Sequence, residues 1–135
     1  MQKEKILIVA PRQNNTDEID YSYMFPLGLG YISASLKKAG YSVDCLNLNH
    51  HKGRTQEIVK SFLDRKKYDF VATGNNAFGY DITKAILETN KGHPSKPKTI
   101  LGGPIITSEP TFIFEDLKPD FGIVGDGEET IVELL

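Results

Sequence analysis

Four glycine-bearing segments fall in the connections that follow apolar stretches of this sequence, the first at the end of a long loop. They are Pro26-Leu27-Gly28-Leu29-Gly30, Gly74-Asn75-Asn76-Ala77, Gly102-Gly103-Pro104 and Gly125-Asp126-Gly127-Glu128. A residue without a Cβ lets main chain approach a ligand closely and admits positive φ. The chemistry such segments suit is binding by backbone rather than bond-breaking by side chains. Any one of them serves a tight turn equally well. Four of them at successive strand ends point to a shallow site for a large, flat ligand.

The side chains that usually carry catalysis or hold metal make no such pattern. His50 and His51 are adjacent, and neighbouring residues rarely converge on one ion, so the pair reads as an exposed loop. His93 lies between Gly92 and Pro94 and reads as a surface residue. Glu128 and Glu129 favour a helix N-terminus through its dipole and need no catalytic explanation. No Ser-His-Asp or Cys-His constellation is visible. Nucleotide signatures are missing too: Gly28 and Gly30 lack the G-x-G-x-x-G spacing, and no G-x-x-x-x-G-K-[ST] loop occurs. A phosphate-receiver domain needs acidic residues after its first strand and an aspartate ending its third. Here those places hold Ala10-Pro11-Arg12 and Thr73-Gly74.

The elements that must position these loops follow from periodicity. Strands are predicted at about 5–10, 42–48, 69–73, 99–102 and 121–124, the first a β-branched run suited to burial on both faces. Between them, Pro26 opens a helix with Leu29, Ile32 and Leu36 on one stripe and Gly40 as its stop. Thr55–Asp64 forms a second helix, Asp81 caps a third, and Ser108 caps a fourth that runs to Leu117. A last helix opens at Gly127-Glu128-Glu129-Thr130. Strict β-α alternation implies an α/β fold of the flavodoxin-like, Rossmann-like kind. It is a doubly wound, five-stranded parallel sheet in the order 2-1-3-4-5, sandwiched as three α/β/α layers. Ligands in such sheets sit beyond the carboxyl ends of the strands, which is where all four glycine segments fall. The connection from Pro11 to Phe25 is long for a βα loop. Its polar part reads as solvated, whereas Tyr21, Tyr23, Met24 and Phe25 could face a ligand or cover the sheet end.

At 135 residues, with net charge −2, the chain has the length of one domain and no basic stripe for nucleic acid or anionic membrane. Its longest apolar stretch, Ile6 to Pro11, is far short of a membrane span. Cys45 is the single cysteine, which excludes a disulfide framework, a cysteine-rich zinc site or an iron–sulfur cluster carried by this chain alone. A reducing cytoplasm is the default compartment.

The run from Phe25 to Val43, FPLGLGYISASLKKAGYSV, resembles the first helix and second strand of the cobalamin (vitamin B12)-binding domain that precedes radical S-adenosylmethionine catalytic domains. Leu101-Gly-Gly-Pro104 and the segment Asp120 to Thr130 resemble that family's fourth and fifth strand loops. The three motifs occur in order and in register over essentially the whole chain. The resemblance implies a corrinoid on the carboxyl edge of the sheet, with its dimethylbenzimidazole tail passing down between strands. The implied contacts are Tyr23, Phe25, Gly28, Gly30, Gly74, Asn75, Asn76, Gly102, Gly103, Pro104, Gly125, Asp126, Gly127 and Glu128. At Gly102 and Gly103 a Cβ would occupy ligand space, or else the turn alone needs glycine. Gly125 and Gly127 would expose turn N–H groups.

In the methionine-synthase-like branch a D-x-H-x-x-G motif supplies a histidine to cobalt. Here Tyr23 and Phe25 stand in place of its aspartate and histidine, and only Gly28 is kept. His50 and Gly53 do not restore it, because Leu48 occupies the acidic position. The resemblance therefore implies cobalamin without a histidine ligand, and no metal ligand from this chain. It further implies that residues 1–135 are one domain, the N-terminal part of a longer radical S-adenosylmethionine enzyme, methyltransferase-like or rearranging its substrate. S-adenosylmethionine, a 4Fe-4S cluster and a small-molecule substrate would belong to the downstream domain. A flavin- or nucleotide-binding flavodoxin-like module, and a degenerate module that only docks partners, are the alternatives.

Overall fold

The computed structural model describes residues 3–14 and 16–135. Its strands are β1 (Lys5–Ala10), β2 (Ser42–Asn47), β3 (Phe70–Gly74), β4 (Lys98–Gly102) and β5 (Phe121–Gly122). They form one sheet in the order β2-β1-β3-β4-β5, and every pairing is parallel. The helices are α1 (Leu27–Lys38), α2 (Thr55–Arg65), α3 (Tyr80–Gly92), α4 (Pro104–Ser108), α5 (Pro110–Leu117) and α6 (Glu128–Leu134). The flavodoxin-like architecture and strand order expected from the alternation are the ones present. None of the described helices is long and apolar enough to cross a membrane.

β1 divides the core by parity. Ile6 and Ile8 join Leu36, Ala72, Ile100, Ile123 and Ile131 on the face covered by α1 and α6. Leu7 and Val9 join Leu46, Leu48, Ile58, Val59 and Ile86 on the face covered by α2 and α3. Leu101, Ile105, Ile106, Ile113 and Leu117 extend this packing beneath α4 and α5. Both faces of a central parallel strand are buried, so an unbroken β-branched run is what the position demands.

The ends of the elements follow local chemistry. α1 closes in a Schellman motif: Gly40, at φ +97°, donates its N–H to Lys37, and Tyr41 donates to Leu36. Asp120 accepts from the Thr99 N–H at 2.7 Å and anchors the start of β4. Four expectations need correction. Asp81 does not cap α3; it lies in the first turn, and a 3-10 turn at Ala77–Gly79 leads into the helix. Ser108 is no cap either, since its hydroxyl donates back to the Pro104 carbonyl at 2.9 Å. It ends α4, and Pro110 starts α5 as a separate helix. β5 stops at Gly122 instead of Val124: Ile123 still donates to Leu101 of β4, and the chain then turns away through Gly125 at φ +81°.

Candidate functional site

A cavity of about 720 Å³ opens at the carboxyl edge of the sheet, on the face covered by α1 and α6. That volume lies within the usual range for small-molecule sites, roughly 300–1,000 Å³. It descends past the strand ends to the floor formed by Ala72 and Ile100, with Ile123 and Ile131 to one side and Leu29 and Ile32 of α1 to the other. Its mouth is polar, formed by Gln13, Asn75, Asn76, Thr107, Ser108, Asp126 and Glu128. The lining therefore reaches strand residues as well as the glycine loops. On α1, Leu36 is fully buried, whereas Leu29 and Ile32, a turn or two earlier on the same stripe, are only partly covered. The N-terminal half of the helix's apolar stripe packs against the core on one side and borders the cavity on the other.

The glycine loops converge on this cavity. Gly28, Gly74, Asn75, Asn76, Gly102, Gly103, Pro104, Gly125, Asp126, Gly127 and Glu128 all line it. The glycines differ in what requires them. Gly103 has φ +86° and ψ −180°, and a Cβ there would come within 3.0 Å of the Asn75 nitrogen. Its own backbone demands glycine, whatever binds nearby. Gly102 is the reverse case. Its φ is outside the left-handed region, and the nearest atom to a Cβ would be the Ile123 carbonyl at 3.9 Å. No protein atom beyond its chain neighbours crowds a Cβ there. The space that it would fill is the cavity.

Gly125 has positive φ, and its N–H, expected to be free, is taken by the Thr107 hydroxyl at 3.0 Å. This bond ties the β5–α6 turn to α4. Asn75 organises the β3 end: its carbonyl accepts from Ile105 at 2.9 Å and its side-chain oxygen from the Asn76 N–H at 2.8 Å.

Tyr23, Phe25 and Gly30 lie outside the cavity lining. Phe25 packs against the core beneath α1. The Tyr23 carbonyl accepts from Asn47 Nδ2 at 3.0 Å and from His50 Nε2 at 2.9 Å. This contact belongs to a network that sequence reasoning did not find. The buried Arg12 guanidinium donates to the carbonyls of Thr16, Gly53, Leu48 and His51, and so clasps the long β1–α1 loop to the β2–α2 loop. Asn49 adds bonds to the Pro11 carbonyl and from the Gln13 N–H. The loop's polar residues Asn14, Asp17 and Glu18 are exposed, as its composition suggests, yet its path is fixed from beneath.

None of the three histidines lines the cavity. His50 is committed to Tyr23, and His51 stands edge-on to Phe62. Burial, and after it the charges of His50, Arg65 and Arg12, holds the His51 imidazole below its ordinary value. His93 is not a surface residue. It is buried at the opposite sheet edge, where Nδ1 accepts from Ser95 and Nε2 donates to Asp64 Oδ1 at 2.7 Å. The Lys60 ammonium and then His93 hold the Asp64 carboxyl below the usual range. Among the described residues, no three His, Cys, Asp or Glu side chains gather as a metal site.

The B12 binding domain family matches residues 20–135. The chain belongs to that family. Solved structures agree in fold. A radical S-adenosylmethionine methyltransferase, TsrM, from Kitasatospora setae, solved with cobalamin and a [4Fe-4S] cluster, superposes with TM-score 0.80 at 17% identity; the match covers 99% of this chain and 24% of that one. The cobalamin-dependent S-adenosylmethionine radical enzyme OxsB with aqua-cobalamin gives TM-score 0.72 at 19% identity, over 97% of this chain and 18% of that one. A cobalamin-binding protein from Desulfitobacterium hafniense DCB-2 gives 0.71 at 13% identity, over 98% and 60%. The chain thus spans about a quarter of the TsrM structures it resembles. No curated protein matches its sequence. The residues present are compatible with a corrinoid: the cavity is mostly apolar, reaches Ala72 and Ile100 of the sheet, and lacks a Cβ at Gly102 where one is sterically free.

Proposed function

We propose that this domain binds cobalamin, with the corrin over the carboxyl edge of the sheet and the nucleotide tail in the cavity. The observation that carries this reading is Gly102, a glycine that neither backbone nor packing requires, at the wall of a mostly apolar cavity in a B12-binding domain. Leu29, Ile32, Ala72, Ile100, Ile123 and Ile131 would surround the tail base. Gly74, Gly102, Gly103 and Gly127 would pass close to its ribose and phosphate. Asn75, Asn76, Pro104, Asp126 and Glu128 would meet the amide-bearing rim of the corrin, with Gly28 and Gly125 beside them. Bound there, cobalamin would supply methyl transfer or radical chemistry at cobalt; the chain itself orients it and keeps water from its tail.

Charge favours this over a flavin mononucleotide or nucleoside phosphate. The cavity lining has no Lys, Arg or His, and it carries Asp126 and Glu128. A phosphate dianion would enter with no counter-charge and two carboxylates nearby, an unfavourable Coulomb balance. A corrinoid carries a single phosphodiester charge, offset by its cationic cobalt centre.

Cobalt would receive no protein imidazole, since His50, His51 and His93 are held elsewhere. Phe25 is where the branch with a ligating histidine carries it, and Tyr23 and Gly30 would at most support the loop. We further propose that residues 1–135 act as the cobalamin module of a longer cytoplasmic radical S-adenosylmethionine enzyme. Its downstream domain would hold the 4Fe-4S cluster and S-adenosylmethionine and would act on a small molecule. Hydroxocobalamin titration of the purified chain, followed by absorbance, tests binding. Saturation at one equivalent, with a spectrum unchanged when the three histidines are replaced, is expected. Absence of saturation contradicts the reading.

A further inference from the structure

We propose that the cavity selects among corrinoids by the polarity of the tail base, taking a methylated benzimidazole in preference to a purine. This rests on the reading that the tail enters the cavity, and it concerns which tail.

The floor offers a buried base almost no hydrogen-bond partner. Ala72 and Ile100 are laddered to one another and Ala72 also to Ile8, so their main-chain groups are engaged within the sheet. The Ile123 N–H is spent on the Leu101 carbonyl, which leaves the Ile123 carbonyl, on the Gly102 side, as an acceptor beside the floor. Thr73 is the one hydroxyl at that depth, and it donates to the Val9 carbonyl at 2.8 Å. Apart from Thr73, the polar side chains of the lining belong to loops and helix ends at the mouth.

Both kinds of base carry one ring nitrogen besides the one bonded to ribose. A purine such as adenine adds two more ring nitrogens and an exocyclic amine. Each of these must leave water on entering an apolar floor; the Ile123 carbonyl can accept from the amine at most, and the added ring nitrogens find no donor in exchange. Leaving one such group unpaired costs about tenfold or more in affinity. The two methyl groups of dimethylbenzimidazole act in the other direction, since they bury apolar surface against Ile32, Ile100 and Ile123.

The test compares three corrinoids on the wild-type chain by absorbance titration: cobalamin, its adenine-tailed counterpart and tail-less cobinamide. The expected order is cobalamin tightest, with the adenine form at least about tenfold weaker and cobinamide also weak. Equal affinity for the two tailed forms, with cobinamide weak, overturns the selection while leaving tail binding intact. Equal affinity for all three overturns it by placing the tail outside the cavity. Failure of all three to bind removes the cobalamin reading itself, and the proposal falls with it. Ile32→Gln, checked for a normal melt, brings an amide to the cavity wall beside the base and is expected to narrow the preference. An unchanged preference in that folded variant overturns the assignment of selection to these residues.

Discussion

On the face covered by α2 and α3, Leu7, Val9, Leu48, Val59 and Ile86 are fully buried and the space between helices and sheet is filled. On the face covered by α1 and α6, the same strands present Ile8, Ala72 and Ile100, yet the space above Ala72 stays open as a cavity. Two features separate the faces. The central strand β3 offers Val71 to the filled side and the small Ala72 to the open one. The loops above the open side end in Gly74 and Gly102, which pair side by side at the strand ends. One sheet thus carries a face that supplies stability and a face held short of full packing. Large-to-small changes should cost much on the first and little on the second.

The largest effect is expected from breaking the filled face. Leu7→Ala should cost roughly 2–5 kcal/mol, because the surrounding core cannot collapse onto the void. Ile32→Ala, on a side chain that already borders open space, should cost about 1 kcal/mol or less. Urea unfolding of the two variants measures the difference, and equal costs would remove the distinction between the faces.

Arg12→Met comes next. The guanidinium is buried and holds four carbonyls from two loops, so its loss should cost on the order of 3 kcal/mol. It should also raise amide exchange in the segment from Gln13 to Tyr23. Slow exchange there in the variant would mean that the clasp is dispensable.

Two adjacent glycines sharpen the comparison further. Gly103→Ala should lose roughly 1–3 kcal/mol, from its positive φ and the approach to Asn75. Gly102→Ala should change stability by no more than about 0.5 kcal/mol. Thermal melts separate them, and a reversed order would mean that the two roles have been exchanged.

The smallest effect concerns pH. Burial holds the His51 imidazole below its ordinary value, so the unfolded chain takes up a proton before the folded one does. Stability is therefore expected to fall as pH drops from neutral through the ordinary histidine range. His51→Gln should flatten that slope slightly. A slope unchanged in the variant would assign it to other groups.

The fold was legible because parallel-strand burial writes itself as apolar runs, and helix stops as Gly40. The glycine-rich rim of the cavity was legible for a related reason: main chain that turns at a strand end uses residues of recognisable type. Its floor was not. Leu29 and Ile32 fall on the same stripe as Leu36, and periodicity cannot tell a fully packed stripe from one that borders a cavity. Ala72 was the available sign, as a small residue on the central strand at the parity of Ile6 and Ile8. The Arg12 clasp and the burial of His93 were hidden because each depends on partners distant in sequence, Gly53 and Asp64 respectively. Ser108 misled because a serine ahead of a proline-started helix has the composition of a cap, while its hydroxyl turns back to Pro104.

The central claim is that the open face is kept open for a corrinoid tail, and Gly102→Leu tests it most directly. Wild type and variant are titrated with hydroxocobalamin after their melts have been compared. The expected result is a variant that melts within a few degrees of wild type and binds at least about a hundredfold more weakly, since a leucine side chain occupies the tail's volume. A folded Gly102→Leu that binds as tightly as wild type would contradict the claim.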